Sequence, residues 1–406
     1  MLTDYPIADL PAARPKIQLR PGAHKRAIHG HPWIYSNEVV MDTTAKALPA
    51  GSLVTVVTAS GQSLGVWIFN SKPLISLRLL DPHFDTLIDH HFLEQRFSQA
   101  VALRTRLFNR PFYRLIHAEA DGLPGLIIDR YDQVVVVQQN TAGMDRLHPL
   151  LLEALHATLK PQTIVLRNDS SARLLEGLPQ HEVEVIGATL PDALPMEENQ
   201  AHFFADPITG QKTGWFFDQR SNRAALAALA ENTSLIDYYG YGGGFSVLAL
   251  VHGAKRAILV DRSEAALSLA AKAAEANNVA ARFTPHRNDA FADMESRATQ
   301  NETYDIVNAD PPAFAKTRKD LPTALRGYRK LARLTSALVA QNGLLHIASC
   351  SYHVELSDLI NAVAAGIGDA KRHGRILRIG GAGPDHPIHP FLPESAYLKS
   401  LLLQID

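Results

Sequence analysis

The chain has 406 residues, of which 46% are apolar and 20% charged, and its formal net charge is −1. This composition is typical of a globular protein and excludes a largely disordered chain, while the length predicts two or three domains. Proteins that bind nucleic acid through bulk charge alone are usually strongly basic, so any such role must depend on local clusters of basic residues.

Three classes of protein are disfavoured by the sequence. No run of residues approaches the roughly 18–20 apolar positions that span a bilayer, and the first 14 residues lack the continuous apolar core of a secretory leader. We therefore expect a cytoplasmic protein.

Cys350 is the single cysteine, which excludes an intramolecular disulfide and argues against a cysteine-based zinc site. No histidines have the spacing of a helical ligand pair, so we expect no metal.

The N-terminal segment, residues 1–82, predicts a small β domain. Its apolar runs lie at Val54–Val57, Leu64–Phe69 and Leu74–Leu80, and glycine and serine separate them. Short strands divided in this way indicate a compact barrel or sandwich.

The central segment, residues 83–195, predicts a mixed α+β domain. The predicted elements, in chain order, are a helix at His90–Phe108, strands at Tyr113–Ala118, Gly125–Asp129 and Gln133–Gln138, a helix at Met144–Leu159, a strand at Thr163–Arg167 and a linker at Leu178–Pro195. Asp121-Gly122 and Tyr131-Asp132 have the composition of turns between these strands.

The C-terminal segment, residues 196–406, changes to an alternation of strands and helices. Strands are predicted at Ser234–Tyr238, Ala257–Val260, Ala281–Thr284, Tyr304–Asn308, Leu344–Ala348 and Tyr397–Ile405, and helices at Phe245–His252, Glu264–Ala276 and Leu325–Val339. This alternation predicts a mostly parallel, doubly wound α/β sheet of the Rossmann-like class.

A glycine-rich turn joins the first of these strands to its helix. The turn begins at Asp237 and contains Tyr239, Gly240, Gly242, Gly243 and Gly244. Glycines at this place allow the backbone to approach a nucleotide closely. The turn does not contain the Gly-x-Gly-x-x-Gly pattern that NAD-binding proteins use.

Polar residues follow the next strands of this segment in order. Asp261 ends the second strand, 24 residues after Asp237, where an acid suits a ribose with two hydroxyls. Asn288-Asp289 follows the third strand and suits an adenine edge, and Asp310-Pro-Pro follows the fourth. Ligands bind outside the carboxyl ends of such strands, so the series predicts an adenosine-containing cofactor. An acid before the glycines and Asp-Pro-Pro after the fourth strand favour S-adenosylmethionine (SAM).

The motifs of almost the whole chain together resemble a known family, the bacterial large-subunit ribosomal RNA cytosine-5 methyltransferases that carry an N-terminal PUA domain. The matching motifs are Leu19-Arg-Pro-Gly22, His31-Pro-Trp33-Ile-Tyr35, Ser76-Leu-Arg78, Asp121-Gly-Leu-Pro-Gly125, Asp129-Arg-Tyr131, Lys212-Thr-Gly214, Asp218-Gln-Arg220, the glycine turn, Asp310-Pro-Pro312 and Ser349-Cys-Ser351.

The resemblance implies a class I SAM-dependent methyltransferase domain, and it implies which residues line the SAM pocket: Gln219, Arg220, Tyr239, Gly240, Gly242, Asp261, Asp289 and Asp310. In that family the glycine turn often reads Tyr-Thr-Gly-Gly-Phe, so Gly242 stands here in place of a threonine.

Cys350 is the candidate nucleophile. Carbon 5 of cytosine is a poor nucleophile, and a thiolate that adds to carbon 6 makes it reactive. Cys350 follows the fifth strand, on the side of the glycine turn and Asp310, although a single cysteine is also a common space-filling core residue. Asp310 could hydrogen-bond nitrogen 3 of the cytosine, or it could only shape its loop. No second cysteine follows Asp310-Pro-Pro312, so the base that removes the carbon 5 proton is unidentified.

Two basic clusters predict a path for RNA. The first comprises Arg14, Lys16, Arg20, Lys25 and Arg26, interleaved with His24, His29, His31, Trp33 and Tyr35. The second comprises Lys316, Arg318, Lys319, Arg326, Arg329, Lys330 and Arg333, in which Asp320 is the one acid. Cations follow phosphates and aromatic rings stack on unpaired bases, although the second cluster could be only a solvated helix face.

The sequence predicts a SAM-dependent methyltransferase that forms 5-methylcytosine in large-subunit (23S) ribosomal RNA through a Cys350 adduct, and that could form a homodimer. One alternative is a methyltransferase that acts on a nitrogen of guanine or adenine, because Asp-Pro-Pro-x-Phe is close to the Asn-Pro-Pro-aromatic motif of such enzymes. A second alternative is an RNA-binding assembly factor without catalytic activity.

Overall fold

The computed structural model describes residues 11–406, so the expectation of no secretory leader falls mainly on residues outside this range. The described residues form two compact units: residues 11–190 with 385–395, and residues 191–384 with 396–406. The first unit contains both the N-terminal and the central segments, so the boundary at residue 82 stays a prediction. Among the described residues, no helix combines the length and apolar character needed to cross a membrane.

The first unit contains two five-stranded sheets. Its elements are β1 (Lys16–Gln18), α1 (Lys25–Ile28), β2 (Trp33–Tyr35), α2 (Thr43–Ala47), β3 (Ser52–Val57), β4 (Ser63–Phe69), β5 (Ile75–Asp81), α3 (His90–Leu107), β6 (Phe112–His117), β7 (Leu126–Tyr131), β8 (Val134–Gln139), α4 (Ala142–Arg146), α5 (His148–Leu159), β9 (Thr163–Leu166), α6 (Ala172–Leu175) and β10 (Glu184–Gly187). The first sheet has the order β1-β3-β4-β5-β2 and the second the order β10-β9-β8-β7-β6.

Two of the predictions for this unit are wrong in detail. The single helix predicted at Met144–Leu159 is two helices, α4 and α5, and Pro149 lies in the first turn of the second, where a proline is well tolerated. The predicted linker at Leu178–Pro195 contains β10, which pairs antiparallel with β9. The proline content of this stretch hid a short edge strand.

The second unit contains a hairpin and a seven-stranded sheet. Its elements are β11 (Leu194–Glu198), β12 (Ala201–Ala205), α7 (Arg220–Ala227), β13 (Ser234–Tyr238), α8 (Gly244–Val251), β14 (Arg256–Asp261), α9 (Glu264–Ala276), β15 (Phe283–Arg287), α10 (Ala290–Thr299), β16 (Tyr304–Ala309), α11 (Leu321–Leu338), β17 (Val339–Ser349), α12 (Leu356–Asp369), β18 (Gly374–Gly380) and β19 (Lys399–Ile405). Hydrophobic side chains on α10, α11 and α12 pack against the central strands to form its main core.

The large sheet has the doubly wound arrangement that the sequence predicted. Its order is β15-β14-β13-β16-β17-β19-β18, and the first five strands are parallel. The last two strands run antiparallel to their neighbours. The order of the strands reverses between β13 and β16, and open sheets bind ligands outside the carboxyl ends of the strands at this point.

Several boundaries in this unit differ from the prediction: the strand predicted from Leu344 is β17, which begins at Val339, and two other elements start elsewhere for a local reason. The helix predicted from Leu325 begins at Leu321, because Pro322 lies in the first turn of α11, where its missing N–H is not needed. The strand predicted at Ala281–Thr284 begins at Phe283, and a 3₁₀ turn occupies Ala280–Arg282. Both differences move an element by a few residues and leave the order of elements unchanged.

Candidate active site

A cavity of about 670 Å³ opens at the carboxyl ends of β13, β14, β16 and β17. It lies wholly within the second unit. Eight of the predicted cofactor-binding and catalytic residues line it: Gln219, Tyr239, Gly240, Gly242, Asp261, Asp289, Asp310 and Cys350. Asp237, Gly243 and Arg220 do not line this cavity and lie directly behind residues that do.

The glycine turn holds an unusual backbone. Tyr239, Tyr241 and Gly243 all have positive φ, at 62°, 46° and 80°. Residues other than glycine adopt a positive φ at a cost in conformational energy. Such strained residues cluster at functional sites. A Cβ atom on Gly240 would lie 2.7 Å from the carboxylate of Asp237, so the turn can pass this close to the strand end only as glycine.

Gly242, where the resembled family often has threonine, packs against an aromatic ring. A Cβ atom at this position would lie 3.0 Å from the ring of Trp215. This contact is tighter than most that a Cβ atom makes, so the tryptophan and the glycine fit each other. The departure from the family pattern therefore has a local steric reason.

A buried chain of polar groups supports the turn from below. Asp237 accepts the N–H of Ser246 at 3.0 Å and the side-chain N–H of Asn308 at 2.7 Å. The side-chain oxygen of Asn308 lies 2.6 Å from Nδ1 of His346. Burial lowers the pKa of His346 to about 3 and raises the pKa of Asp237 to about 6. The histidine is therefore neutral, and its Nδ1–H donates to Asn308.

We expect Asn308→Leu to lower the free energy of unfolding by about 3 kcal/mol, since it removes the partner of both Asp237 and His346 in a buried place. Denaturant unfolding measures this change. Gln300→Leu is the control, because Gln300 is exposed just after α10 and its amide donates to the Ser296 hydroxyl in the last turn of that helix. Equal stability of the two variants would contradict a supporting role for this chain.

Asp261 ends β14 and Asp289 follows β15, as the sequence predicted, and each holds nearby backbone. The carboxylate of Asp261 accepts the N–H of Tyr241 at 3.1 Å and of Ser263 at 2.9 Å. Asp289 caps α10 by accepting the N–H of Ala292 at 2.9 Å. Both carboxylates thus have fixed positions on the wall of the cavity.

Gln219 and Arg220 lie at the start of α7 but have different surroundings. Gln219 is buried and lines the cavity, and it accepts a hydrogen bond from Asn222 at 2.7 Å. The Nε atom of Arg220 lies 3.5 Å from the buried carboxylate of Glu198. The same carboxylate accepts the ring N–H of Trp215 at 3.1 Å, so Arg220 belongs to the support of the cavity wall.

Asp310 follows β16 and lies near a second carboxyl group that no earlier argument had singled out, that of Asp218. Asp218 accepts the hydroxyl of Tyr397 at 2.6 Å and lies 3.2 Å from Nζ of Lys212. Burial, with the nearby charge of Asp218, raises the pKa of Asp310 to about 7. Asp310 can therefore accept and release a proton near neutral pH.

Cys350 follows β17 and faces the same cavity. Its Sγ lies 4.0 Å from the carbonyl oxygen of Pro311, in the loop after Asp310. Burial, together with the negative charge of Asp310, raises the pKa of the thiol to about 11. At neutral pH the group is a thiol, so it needs a nearby proton acceptor to become a nucleophile.

In each of the two basic clusters, some cations are buried or paired with an acid in the structure. In the first cluster Arg14 is buried and donates to the carbonyl oxygen of Phe84 at 2.8 Å, and Arg26 pairs with Glu38 at 2.8 Å, whereas the other cations of that cluster are exposed.

In the second cluster Arg329 pairs with Asp369 at 2.6 Å and Lys330 with Glu295 at 2.9 Å. Lys316, Arg318 and Lys319 are exposed in the loop that continues from the cavity wall at Phe314.

Comparisons with known proteins identify the family of this chain. A model of a PUA-like domain matches residues 17–82, and a model described as Conserved hypothetical protein 95 matches residues 216–347. The ribosomal RNA large subunit methyltransferase I of Aeromonas hydrophila is 34% identical over 96% of this chain and 98% of its own length. The protein of the same name from Tolumonas auensis is 35% identical, with the same shares covered. The chain belongs to the ribosomal RNA large subunit methyltransferase I family.

Solved structures match the fold of this family member over almost its whole length. A protein from Streptococcus mutans that is provisionally assigned as a SAM-dependent methyltransferase has a TM-score of 0.80, with 20% identity over 96% of this chain and 100% of its own. A methyltransferase complexed with SAH has a TM-score of 0.81 with the same identity and coverage. The predicted fold class, a PUA-like domain before a Rossmann-like methyltransferase fold, is confirmed.

Sequence reasoning missed several residues of the cavity in this methyltransferase I family member. Lys212 and Asp218 were part of matching motifs but received no role. Tyr241, Trp215 and Arg223 line the cavity as well. Their signal was weak, because a lysine in a loop or an arginine on a short helix has many other uses. Among the described residues, no group of three or more potential ligands could hold a metal ion.

Proposed function

We propose that this chain transfers the methyl group of SAM to carbon 5 of a cytidine in large-subunit ribosomal RNA, with Cys350 as the nucleophile. The observation that carries the proposal is one cavity that brings together the glycine turn, Asp310 and the only thiol of the chain. These groups come from separate strand ends, and open α/β sheets bind their ligands at such ends.

The coarser activity follows from family membership and fold. This chain is a SAM-dependent methyltransferase of large-subunit ribosomal RNA, and SAM is its cofactor. The target atom, the covalent adduct and the roles of single residues are our own assignments.

The residues of the cavity fit SAM. Gly240 lines the cavity with its backbone alone, and it packs closely against Asp237 behind it, where a Cβ atom would not fit. We assign the cofactor contacts to Tyr239, Gly240, Gly242, Asp261, Asp289, Gln219 and Asp310. Asp237, Gly243 and Arg220 hold these residues in place from behind. When bound, SAM supplies an electrophilic methyl group.

Cys350 begins the reaction by adding its sulfur to carbon 6 of the cytosine. The new C–S bond turns carbon 5 into an enamine-like nucleophile, and carbon 5 then takes the methyl group. Loss of the carbon 5 proton to a base allows the C–S bond to break. This step restores the thiolate and the aromatic ring.

Asp310 makes the first step possible at neutral pH. Its carboxylate takes the proton of the Cys350 thiol, and the resulting carboxylic acid donates a hydrogen bond to nitrogen 3 of the cytosine. Charge develops at nitrogen 3 as sulfur adds to carbon 6, so this hydrogen bond strengthens in the transition state. The base that removes the carbon 5 proton is a separate group.

Exposed cations beside the cavity supply a surface for the RNA. Lys316, Arg318 and Lys319 follow the Asp-Pro-Pro loop and are exposed. The target cytidine must be unpaired or flipped to enter the cavity. The cytoplasmic location, the homodimer and the three domains 1–82, 83–195 and 196–406 stay predictions.

Methyl transfer from labelled SAM to protein-free large-subunit ribosomal RNA, followed by nucleoside mass spectrometry, tests the proposal. Label in 5-methylcytidine supports it. Label in a methylated guanosine or adenosine overturns the cytosine assignment and favours the alternative in which Phe314, which also lines the cavity, stacks on a purine. Binding of SAM and RNA without transfer, on naked RNA and on ribosomal particles, would indicate the assembly-factor alternative.

Asp218→Asn is expected to shift the rising, acidic part of the pH–rate profile, here called the acid limb, to lower pH. The charge of Asp218 helps to raise the pKa of Asp310, so its removal lets Asp310 ionise at lower pH, and the rate rises earlier. Single-turnover rates between pH 5 and 9 measure the shift. Asp369→Asn is the control, because this exposed carboxyl pairs with Arg329 and does not line the cavity. An unmoved limb would mean that Asp310 does not control it.

A further inference from the structure

Buried hydroxyl groups surround the candidate nucleophile. Cys350 lies between Ser349 and Ser351, and both serines have no exposed surface. The hydroxyl of Tyr328, on α11, donates to Oγ of Ser349 at 2.8 Å and lies 3.3 Å from Oγ of Ser351. One fully buried side chain thus bonds the residues on both sides of the cysteine.

The other hydrogen bonds of the two serines complete the cluster. Oγ of Ser351 accepts the N–H of Ala315 at 3.3 Å, and Oγ of Ser349 accepts the N–H of Ser351 at 3.3 Å. The proton of the Ser351 hydroxyl is then directed to Tyr328. Lys399 donates to the carbonyl oxygen of Ser351 at 2.9 Å. Buried hydroxyls need such partners, so this cluster has few other arrangements.

Tyr328 also packs against the opposite wall of the cavity. Its ring centroid lies 4.7 Å from that of Phe314, which lines the cavity four residues after Asp310. The same side chain therefore fixes the loop of the nucleophile through its hydroxyl and the loop of Asp310 through its ring.

We propose that Tyr328 is a positioning residue, whose hydroxyl orients Cys350 so that Sγ approaches carbon 6 of the bound cytosine. This inference rests on the proposed function. Phenylalanine keeps the ring but leaves two buried serine hydroxyls without their shared partner. The Ser349–Ser351 backbone then rearranges, and an error of about 1 Å in the position of a reacting atom costs roughly 100-fold in rate.

The test compares Tyr328→Phe with the full-length wild-type chain. The probe is ribosomal RNA that contains 5-fluorocytidine, supplied together with SAM. After carbon 5 has taken the methyl group, a base can remove a proton from it but cannot remove fluorine as a cation, so the adduct with Cys350 persists. A second measurement is alkylation by iodoacetamide, which attacks the same thiol but needs no aligned approach. Cys350 is the single cysteine, so mass spectrometry of the intact chain reports both reactions without interference.

Tyr304→Phe is the matched control. Tyr304 is as deeply buried, and its hydroxyl accepts a hydrogen bond from Arg297 at 2.9 Å, but it starts β16 at the other end of the sheet. We expect Tyr328→Phe to slow adduct formation roughly 10- to 100-fold, with the alkylation rate and the KM for SAM unchanged. Tyr304→Phe should keep the wild-type rate of adduct formation.

Three outcomes would overturn the inference alone: adduct formation at the wild-type rate in Tyr328→Phe, an equal slowing of adduct formation and alkylation, or an equal slowing in Tyr304→Phe. A wild-type chain that forms no adduct would instead overturn the proposed function, and this inference with it. If Tyr328→Phe does not fold, Ser349→Ala removes the acceptor in place of the donor and carries the same expectation.

Discussion

Replacing Cys350 by alanine is expected to abolish methyl transfer, with a loss of roughly 10⁴-fold or more in the single-turnover rate. Carbon 5 cannot take the methyl group at a useful rate until sulfur has added to carbon 6, and no other thiol exists in the chain. Transfer of label from SAM to large-subunit ribosomal RNA measures the rate, and the binding of SAM is measured separately by calorimetry.

SAM binding should survive the substitution of Cys350. The cofactor contacts that we assign lie on the glycine turn, at the ends of β14, β15 and β16, and just before α7, whereas Cys350 follows β17. Cys350→Ser is the matched control, because serine keeps the size of the side chain but has no thiolate. Methylation that persists in either variant would rule out the adduct and favour transfer to a nitrogen of a purine.

Asp310→Asn is expected to lower the rate at pH 8 by about 10²–10⁴-fold, the usual contribution of a general base. The pKa of Cys350 is raised to about 11 and that of Asp310 to about 7. At a pH between these two pKa values, the Cys350 thiol is protonated and the Asp310 carboxylate is ionised, so the carboxylate can accept the proton of the thiol. Asparagine is nearly the same size and cannot take the proton.

The wild-type protein and Asp310→Asn should also differ in the shape of their pH–rate profiles. In the wild type the rate rises tenfold per pH unit up to about 7, where Asp310 loses its proton, and then stays level. In Asp310→Asn the rate should follow the thiolate alone and keep rising well above pH 7, because burial still raises the pKa of the Cys350 thiol after the charge of Asp310 is removed. A variant that keeps the limb near pH 7 would assign that limb to another group.

The sequence predicted the architecture of the second unit well, because its signals are local. Asp237, Asp261 and Asp310 lie at or just after the carboxyl ends of strands that alternate with helices, and this pattern implied both a parallel sheet and a common edge. The position of Cys350 at that edge followed from the same argument. The pairing of β19 between β17 and β18 could not be predicted, since strand order at the end of a sheet depends on contacts between distant residues.

The chemistry of single residues was less predictable than their place. Nothing in the sequence near Asp310 indicated that Asp218, more than 90 residues earlier, would change its pKa. Tyr328 belonged to a helix that was noted only for its cations, and its buried hydroxyl became visible only with the fold. Arg14 was counted as a surface cation, but it is buried against backbone carbonyl groups.

The first unit borrows residues 385–395 from a distant part of the chain. The side chain of Arg104 has no exposed surface, and it donates to the carbonyl oxygen of Asp385 at 3.1 Å. The carboxylate of Asp385 also accepts the N–H of Arg114 at 3.1 Å. A ribosome makes a chain from its N-terminus. Arg104 and Arg114 therefore cannot form their hydrogen bonds to Asp385 until nearly the whole protein has been synthesised. The N-terminal half therefore cannot complete its native hydrogen bonds before the catalytic half exists.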